Sequence, residues 1–182
     1  MKRILIVGAG GQIGSELTTY LRKIYGASNV VATDVRECGK LAEGGPFEVL
    51  NALDAKAMAS VVERYKIDAI FNLVALLSAV GEKNPQTAWN INIGALMNAL
   101  EVAREYGCAL FTPSSIGAFG PTSPKDKTPQ DTIMQPTTIY GVCKVTGELL
   151  GNYYFQRYGV DTRSVRSVSY THLRAHETEA DL

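Results

Sequence analysis

Cysteine is scarce in this sequence and is not arranged for a disulfide framework. The 182 residues include three cysteines, Cys38, Cys108 and Cys143, which are widely spaced and form no C-x-x-C pair. An odd, scattered set of this kind indicates a reducing compartment and argues against disulfide bridges or a cysteine-ligated metal. The sequence therefore predicts neither of these features.

An excess of one charge is also absent, as is a long hydrophobic run. Lysine and arginine together number 18, and so do aspartate and glutamate, so no basic surface for nucleic acid is indicated. The longest apolar stretch, residues 67–80, contains Asp68 and Asn72 and is too short to span a bilayer. Met1-Lys2-Arg3 leads straight into an apolar strand, unlike a secretory signal peptide. We predict a soluble, cytoplasmic protein without membrane or nucleic-acid partners.

What the chain does contain is a regular alternation of strand and helix patterns, over a length typical of one domain. Such alternation predicts parallel β-α-β units with right-handed crossovers. The predicted fold class is therefore α/β, with a Rossmann-type doubly wound parallel sheet. Strands are predicted at 4–7, 30–34, 47–50, 69–74, 109–112 and 162–166, helices at 12–25, 55–65, 87–106 and 139–158, and loops at 36–45 and 120–136.

The strongest motif is Gly8-Ala9-Gly10-Gly11-Gln12-Ile13-Gly14, which directly follows the first strand. Its glycines match a dinucleotide-binding loop, with Gly8 at the tight turn, Gly11 at the pyrophosphate and Gly14 where the helix packs on its strand. Asp34 ends the second strand, twenty positions after Gly14. A carboxylate there accepts hydrogen bonds from the ribose hydroxyls and repels a 2′-phosphate, which favours NAD over NADP. The alternative is a glycine turn with an unrelated aspartate.

A second set of polar residues follows the fourth and fifth strands, whose carboxyl ends should open into the ligand crevice. Strand four leads into Ala75-Leu76-Leu77-Ser78, and strand five leads into Ser114-Ser115-Ile116-Gly117. The next helix opens with Tyr140 and Lys144, which share one helix face. An ammonium one turn away stabilises the phenolate, so the tyrosine oxygen can accept a proton from a substrate hydroxyl. The alternative is an ordinary pair on an amphipathic helix.

These residues resemble a known family. The motif glycines together with Ser115, Tyr140 and Lys144 are similar to the extended short-chain dehydrogenase/reductase superfamily. Within that superfamily, the NAD-dependent L-threonine 3-dehydrogenases are similar to this chain over residues 1–166, most specifically at residues 75–82, 113–124 and 138–144.

The resemblance implies a role for each matching residue. Tyr140 would be the general base, Lys144 its electrostatic partner and a ribose ligand, and Ser115 the group that orients the substrate hydroxyl. Ser78 would touch the substrate, and Asn92 would be a polar residue behind the active site. The residues implied for the cofactor are Gly8, Gly11, Gln12, Ile13, Gly14, Asp34, Asn51, Ala52, Val74, Ala75, Tyr140 and Lys144.

The implied reaction is oxidation of the β-hydroxyl of L-threonine to 2-amino-3-ketobutyrate, with hydride transfer to NAD. The resemblance also implies a homodimer at full length. Two alternatives stay open. One is a nucleotide-sugar epimerase or dehydratase, which uses the same tyrosine and lysine, and the other is an NAD-binding module without catalytic activity.

After Arg166 the sequence departs from the family pattern. Threonine dehydrogenases continue with a Tyr-Pro-Gly turn and a substrate domain, and residues 167–182 resemble neither. We therefore expect residues 1–166 to form the NAD-binding domain, and residues 167–182 to be a non-native or disordered tail of an inactive fragment. His172 and His176 lie in this tail, but Leu173 stands where a zincin site needs glutamate, so no metal site is predicted.

Overall fold

The sheet of this protein is parallel throughout, as the alternating pattern predicts. The structure, a computed structural model, describes residues 2–167. Six strands pair in the order β3-β2-β1-β4-β5-β7, and a second, two-stranded sheet pairs β6 with β8. The strands are β1 Ile4–Val7, β2 Val30–Asp34, β3 Phe47–Val49, β4 Ala69–Asn72, β5 Ala109–Phe111, β6 Ser114–Ser115, β7 Thr162–Arg163 and β8 Arg166–Ser167.

Helices cover both faces of the six-stranded sheet. They are α1 Gln12–Tyr25, α2 Gly39–Glu43, α3 Ala55–Tyr65, α4 Ser78–Gly81, α5 Pro85–Tyr106 and α6 Ile139–Tyr158. The apolar residues of α1 and α2 pack with Ile4 and Ile6 on one face, and those of α3, α5 and α6 pack with Leu5 and Val7 on the other. Strand β1 is therefore buried from both sides, which is why its sequence is a continuous apolar run.

Local sequence signals set most helix ends. The predicted bounds of α1, α3 and α6 agree with the structure. Asp54 caps α3 by accepting a hydrogen bond from the backbone N–H of Ala57, and Gly159 ends α6 in the left-handed conformation. The start predicted for α5 was wrong by two residues, because Asn84 caps this helix and Pro85 occupies its first turn.

The stretch 36–45, predicted as a loop, contains the short helix α2. The buried side chain of Arg22 anchors this segment from α1. Its guanidinium donates hydrogen bonds to the carbonyl oxygens of Val30, Leu41 and Pro46 at 3.3, 2.6 and 2.7 Å. These contacts join residues far apart in the sequence, so local patterns do not reveal them.

The sixth strand, predicted as residues 162–166, is divided in the structure. Thr162 and Arg163 pair with β5, and Arg166 and Ser167 pair with β6. Pro113 lies between β5 and β6 and has no backbone N–H, so it interrupts the hydrogen-bond ladder at this point. The strands predicted as 47–50, 69–74 and 109–112 end one or two residues earlier than expected.

The expectations about membrane helices, the domain boundary and the tail are tested only in part by the structure. None of the helices between residues 2 and 167 is long and apolar enough to cross a membrane. The assignment of residues 1–166 to an NAD-binding domain stays a prediction. The expected tail, apart from Ser167, lies outside the described residues, and so do His172 and His176.

We expect Gly14→Ala to destabilise the fold, because α1 packs directly on the turn after β1. A Cβ at position 14 would lie 2.7 Å from the Cα of Ala9. The expected loss is about 2 kcal/mol of unfolding free energy, measured by urea denaturation. Gly39→Ala is the matched control, since a Cβ there meets no described atom within 4 Å. Equal stability of the two variants would contradict this account of the packing.

Candidate functional site

The loop between β1 and α1 is the first component of the site. Gly8 has φ +84°, a conformation that L side chains rarely adopt, and its N–H and that of Ala9 both donate to the carbonyl oxygen of Thr33. Gly14 lets α1 approach this turn, as predicted. A Cβ at Gly11 would meet only ordinary contact, 3.5 Å from the oxygen of Gly8, so its role at a pyrophosphate stays a prediction.

A further glycine, Gly10, was not singled out from the sequence. Its backbone N–H donates to Oδ2 of Asp34 at 2.9 Å. A Cβ at position 10 would lie 2.7 Å from Sγ of Cys38 and 2.9 Å from that carboxylate oxygen. Gly10 therefore allows the loop, Asp34 and Cys38 to pack together. The sequence did signal this residue, since Gly10 is a fourth glycine inside the motif. Its contact with Cys38 could not be predicted, because the two residues are far apart in the sequence.

Asp34 is held at the end of β2 by backbone groups. Besides the bond from Gly10, its Oδ1 accepts a hydrogen bond of 3.4 Å from the N–H of Arg36. The carboxylate borders a cavity of about 310 Å³ at the carboxyl ends of the strands. The predicted cofactor residues that line this cavity are Gly8, Gly11, Asp34, Asn51, Ala52, Val74 and Ala75.

The part of the cavity wall that follows β3 is also fixed by hydrogen bonds. Oδ1 of Asn51 accepts from the N–H of Leu53 at 3.0 Å, and Nδ2 of Asn98 donates to the carbonyl oxygen of Ala52 at 2.9 Å. Other predicted cofactor residues lie elsewhere. Gln12 and Ile13 begin α1 and are exposed, and neither is among the residues that line the cavity.

The second component of the site combines the end of β5 with the start of α6. Nζ of Lys144 donates to the carbonyl oxygen of Pro113 at 2.7 Å and lies 5.2 Å from the ring centroid of Tyr140. The lysine borders a small cavity of about 20 Å³, which it shares with Asn72 and Asn92. Burial lowers the pKa of Lys144 to about 8.

Ser115 and Tyr140 meet at Gly117. Oγ of Ser115 accepts a hydrogen bond of 3.1 Å from the N–H of Gly117, so its own hydroxyl proton can be donated elsewhere. A Cβ at Gly117 would lie 3.4 Å from ring atoms of Tyr140 and 3.5 Å from Oγ of Ser115. The structure therefore brings together the serine, tyrosine and lysine that the sequence analysis selected.

Asn92 borders the same small cavity as Lys144 and holds the segment after β4. Its place behind an active site stays a prediction. Its side-chain amide accepts from the N–H of Leu76 at 2.6 Å and donates to the oxygen of the same residue at 3.2 Å. Ser78 is half-buried at the start of α4. Glu82 lies in the stretch 75–82 that carries the resemblance, but no role was assigned to it. It accepts a hydrogen bond of 2.7 Å from the N–H of Ile139, next to Tyr140, at the start of α6.

Metal ligands are not clustered in the described part of the chain. Between residues 2 and 167, no group of three or more histidine, cysteine, aspartate or glutamate side chains could hold a metal ion. All three cysteines are free.

Comparison with known proteins identifies the family. Residues 4–173 match the model of the NAD dependent epimerase/dehydratase family. The chain belongs to that family. NAD, which the glycine motif and Asp34 predict, is thus the cofactor of the family. An uncharacterized epimerase/dehydratase of Staphylococcus saprophyticus is 58% identical over 168 residues, which cover 91% of this chain and 52% of that protein.

Solved structures of dehydrogenases and an epimerase share the fold of this chain. L-threonine dehydrogenase from Clostridium difficile superposes with a TM-score of 0.89 at 52% identity, over 91% of this chain and 53% of that one. The holo form of a GalE-like L-threonine dehydrogenase from Cupriavidus necator superposes with a TM-score of 0.87 at 52% identity, over 90% of this chain and 53% of that one. UDP-glucose 4-epimerase from Brucella ovis in complex with NAD superposes with a TM-score of 0.81 at 22% identity, over 91% of this chain and 51% of that one. This is a likeness of fold alone. The chain spans about half the length of the relatives it matches.

The lowered pKa of Lys144 should be visible in protein stability. The folded protein releases this proton near pH 8, whereas a lysine ordinarily has a pKa of 10.5. Between these values the unfolded state binds more protons, so this residue makes the unfolding free energy rise with pH. We expect Lys144→Met to remove that rise in urea denaturation. The exposed Lys125 gives the control variant Lys125→Met, which should follow the parent protein. Parallel pH profiles of the parent and Lys144→Met would contradict the assignment.

Proposed function

We propose that this chain forms the NAD-binding and catalytic half of an L-threonine 3-dehydrogenase. The observation that carries the proposal is the convergence of Ser115, Tyr140 and Lys144 at the carboxyl edge of the sheet. The cavity that Lys144 borders shares Val74 and Ala75 with the cavity at the glycine loop. Threonine dehydrogenases of known structure that are 52% identical to this chain support the same assignment. The proposal assigns the NAD-binding domain to residues 1–166.

The cavity beside Asp34 fits the adenosine end of NAD. Its apolar walls suit a purine, and the Asp34 carboxylate suits a ribose diol. The pyrophosphate would be held at the N-terminus of α1, where Gly11 lets a ligand come close to the backbone N–H groups. Gln12 and Ile13 would lie beside the phosphates. Bound NAD would supply the chemistry of a hydride acceptor.

Tyr140 would take the proton from the β-hydroxyl of threonine as the hydride leaves the β-carbon, which gives 2-amino-3-ketobutyrate. Lys144 is a cation below pH about 8, and its bond to Pro113 fixes it 5.2 Å from the tyrosine ring centroid. It would stabilise the phenolate and would hold the nicotinamide ribose of NAD. The free hydroxyl proton of Ser115 would be donated to the substrate oxygen, and Ser78 would contact the amino acid.

The assignment has two further consequences. The full-length protein would be a homodimer, as the family resemblance implies. The chain by itself would bind NAD but oxidise threonine very slowly, because it corresponds to about half of each relative. A substrate held on one side loses orientation, which can account for several kcal/mol of a barrier.

A nucleotide-sugar epimerase or dehydratase is the second candidate function. The relatives from Staphylococcus that are 57–58% identical are described as uncharacterized epimerase/dehydratases, so their names leave this assignment open. The same tyrosine and lysine would serve either reaction.

The preference for NAD can be measured on the 182-residue chain. We expect NADH to bind at least about tenfold more tightly than NADPH in fluorescence titrations, a difference of about 1.4 kcal/mol. Asp34→Asn should narrow this ratio, because it removes the charge that repels a 2′-phosphate and keeps an oxygen for the N–H of Gly10. Glu105→Gln makes the same charge change on the exposed end of α5 and should leave the ratio unaltered. Tighter binding of NADPH by the parent chain would refute the preference.

The role of Tyr140 requires a complete substrate crevice. We suggest a chimera in which residues 1–166 precede the C-terminal half of the Clostridium difficile enzyme, assayed with L-threonine and NAD. Tyr140→Phe should lower kcat by about 100-fold or more and leave NADH affinity nearly unchanged, because only the proton acceptor is removed. Tyr153→Phe, at a half-exposed tyrosine further along α6, is the control.

Three results would argue against the assignment. Retained activity in Tyr140→Phe would mean that another group is the base. A parent chimera that binds NADH and does not oxidise threonine would favour a non-catalytic module or the epimerase assignment, which UDP-glucose can test. Rapid threonine oxidation by the 182-residue chain alone would show that its crevice is already complete.

A further inference from the structure

Glu148 lies on the same face of α6 as Tyr140 and Lys144. It borders the small cavity of about 20 Å³ beside Lys144 but not the cavity beside Asp34. Tyr140, Lys144 and Glu148 follow one another at intervals of four residues, so they share one side of the helix. Tyr140 lies against Gly117, and Lys144 bonds to Pro113. Glu148 continues this line toward β6, the strand that carries Ser115.

The carboxylate of Glu148 accepts three hydrogen bonds from two other strands. Its Oε1 accepts from Oγ of Ser114 at 2.5 Å and from Nε of Arg166 at 2.9 Å. Its Oε2 accepts from Nη2 of Arg166 at 2.7 Å. The two charged side chains are 15% and 16% exposed, so water screens the pair only weakly. These bonds join α6 to β6 and β8.

Arg166 extends the connection to the proline-containing segment 120–136. Its Nη1 donates to the carbonyl oxygen of Gln130 at 3.0 Å, and its guanidinium lies 5.2 Å from the ring centroid of Phe119. One ion pair therefore joins α6, both short strands and two residues that follow the turn after Ser115, Phe119 and Gln130.

The strand that carries Ser115 needs such support, because its own pairing is minimal. β6 and β8 contain two residues each, with Ser114 opposite Arg166 and Ser115 opposite Ser167. Oγ of Ser167 adds one bond of 3.3 Å to the carbonyl oxygen of Ser114. An isolated ladder of this length has little stability of its own.

The charge of Glu148 is maintained despite its location. Burial disfavours the carboxylate, but hydrogen bonds from Arg166 and Ser114 outweigh this and hold the pKa of Glu148 below its ordinary value. Charge-assisted hydrogen bonds are shorter and stronger than neutral ones. The contact is therefore an ionised clamp at neutral pH.

We propose that Glu148 is a positioning residue that, through Ser114 and Arg166, holds the Ser115 strand at its working distance from Tyr140 and Lys144. The positioning rests on contacts within this chain, and its value for the reaction rests on the function proposed above. Glu148 itself would touch neither substrate nor cofactor.

A matched pair of variants separates positioning from general stability. Glu101 makes a similar network remote from Ser115, since it accepts hydrogen bonds from Arg104 and from the hydroxyl of Tyr154. Glu148→Gln and Glu101→Gln should both lower the unfolding temperature. In hydrogen exchange of the 182-residue chain, only Glu148→Gln should speed exchange of residues 114–119 selectively, by about tenfold or more. Ser114→Ala should also speed exchange of residues 114–119. This variant replaces Glu148→Gln in the experiment if Glu148→Gln folds poorly.

The functional consequence is a loss in kcat. In the chimera described above, Glu148→Gln should lower kcat for threonine by about tenfold with NADH affinity within about twofold, whereas Glu101→Gln should leave kcat unchanged. Equal rates of hydrogen exchange at residues 114–119 in Glu148→Gln and Glu101→Gln would overturn the proposal. Faster exchange in Glu148→Gln with an unchanged kcat would overturn it too. If the parent chimera does not oxidise threonine, the function fails, and the exchange experiment still decides whether Glu148 holds the strand.

Discussion

The crevice depends on the pairing of β1 with a parallel strand on each side. β2 pairs with it at Ile4↔Val30 and β4 at Ile4↔Ala69, so the chain extends the sheet in opposite directions from this centre. The loops that leave the carboxyl ends of β1 and β4 therefore diverge, and a cleft opens between them. The cavity beside Asp34 lies at this edge, lined by residues from both loops.

At this edge of the sheet, the backbone of the glycine loop lies very close to Asp34 and to the start of α1. Gly8 adopts a positive φ, and Gly10 and Gly14 leave room where a Cβ would meet Asp34 or the backbone of Ala9. The loop can then bond directly to Asp34 through the N–H of Gly10. The acid is thus preorganised by the same loop that is proposed to hold the phosphates, which links the two parts of the cofactor site.

The proposed catalytic end combines close packing, at Gly117 and Gly141, with partly buried charge. Lys144 is half-buried and bonded to a carbonyl oxygen, and one turn later Glu148 is paired with Arg166. The two side chains of α6 face two successive stretches of the chain after β5. A single helix therefore sets the lysine, the tyrosine and the strand of Ser115 relative to one another.

The sequence by itself determined the fold class, the glycine turn after β1 and most helix bounds, because these follow from local physics. Hydrophobic period, the cap at Asp54 and the glycine at position 159 act within a few residues of the elements they define. The candidate residues Ser115, Tyr140 and Lys144 could likewise be selected from their motifs and positions.

Tertiary structure decided which contacts join distant segments of the chain. The division of the last strand, the packing of Cys38 against Gly10, and the contact of Glu148 with Ser114 and Arg166 each depend on where the sheet places residues far apart in the chain. Such contacts leave no periodic or neighbouring signal, since their partners meet only after the strands have paired.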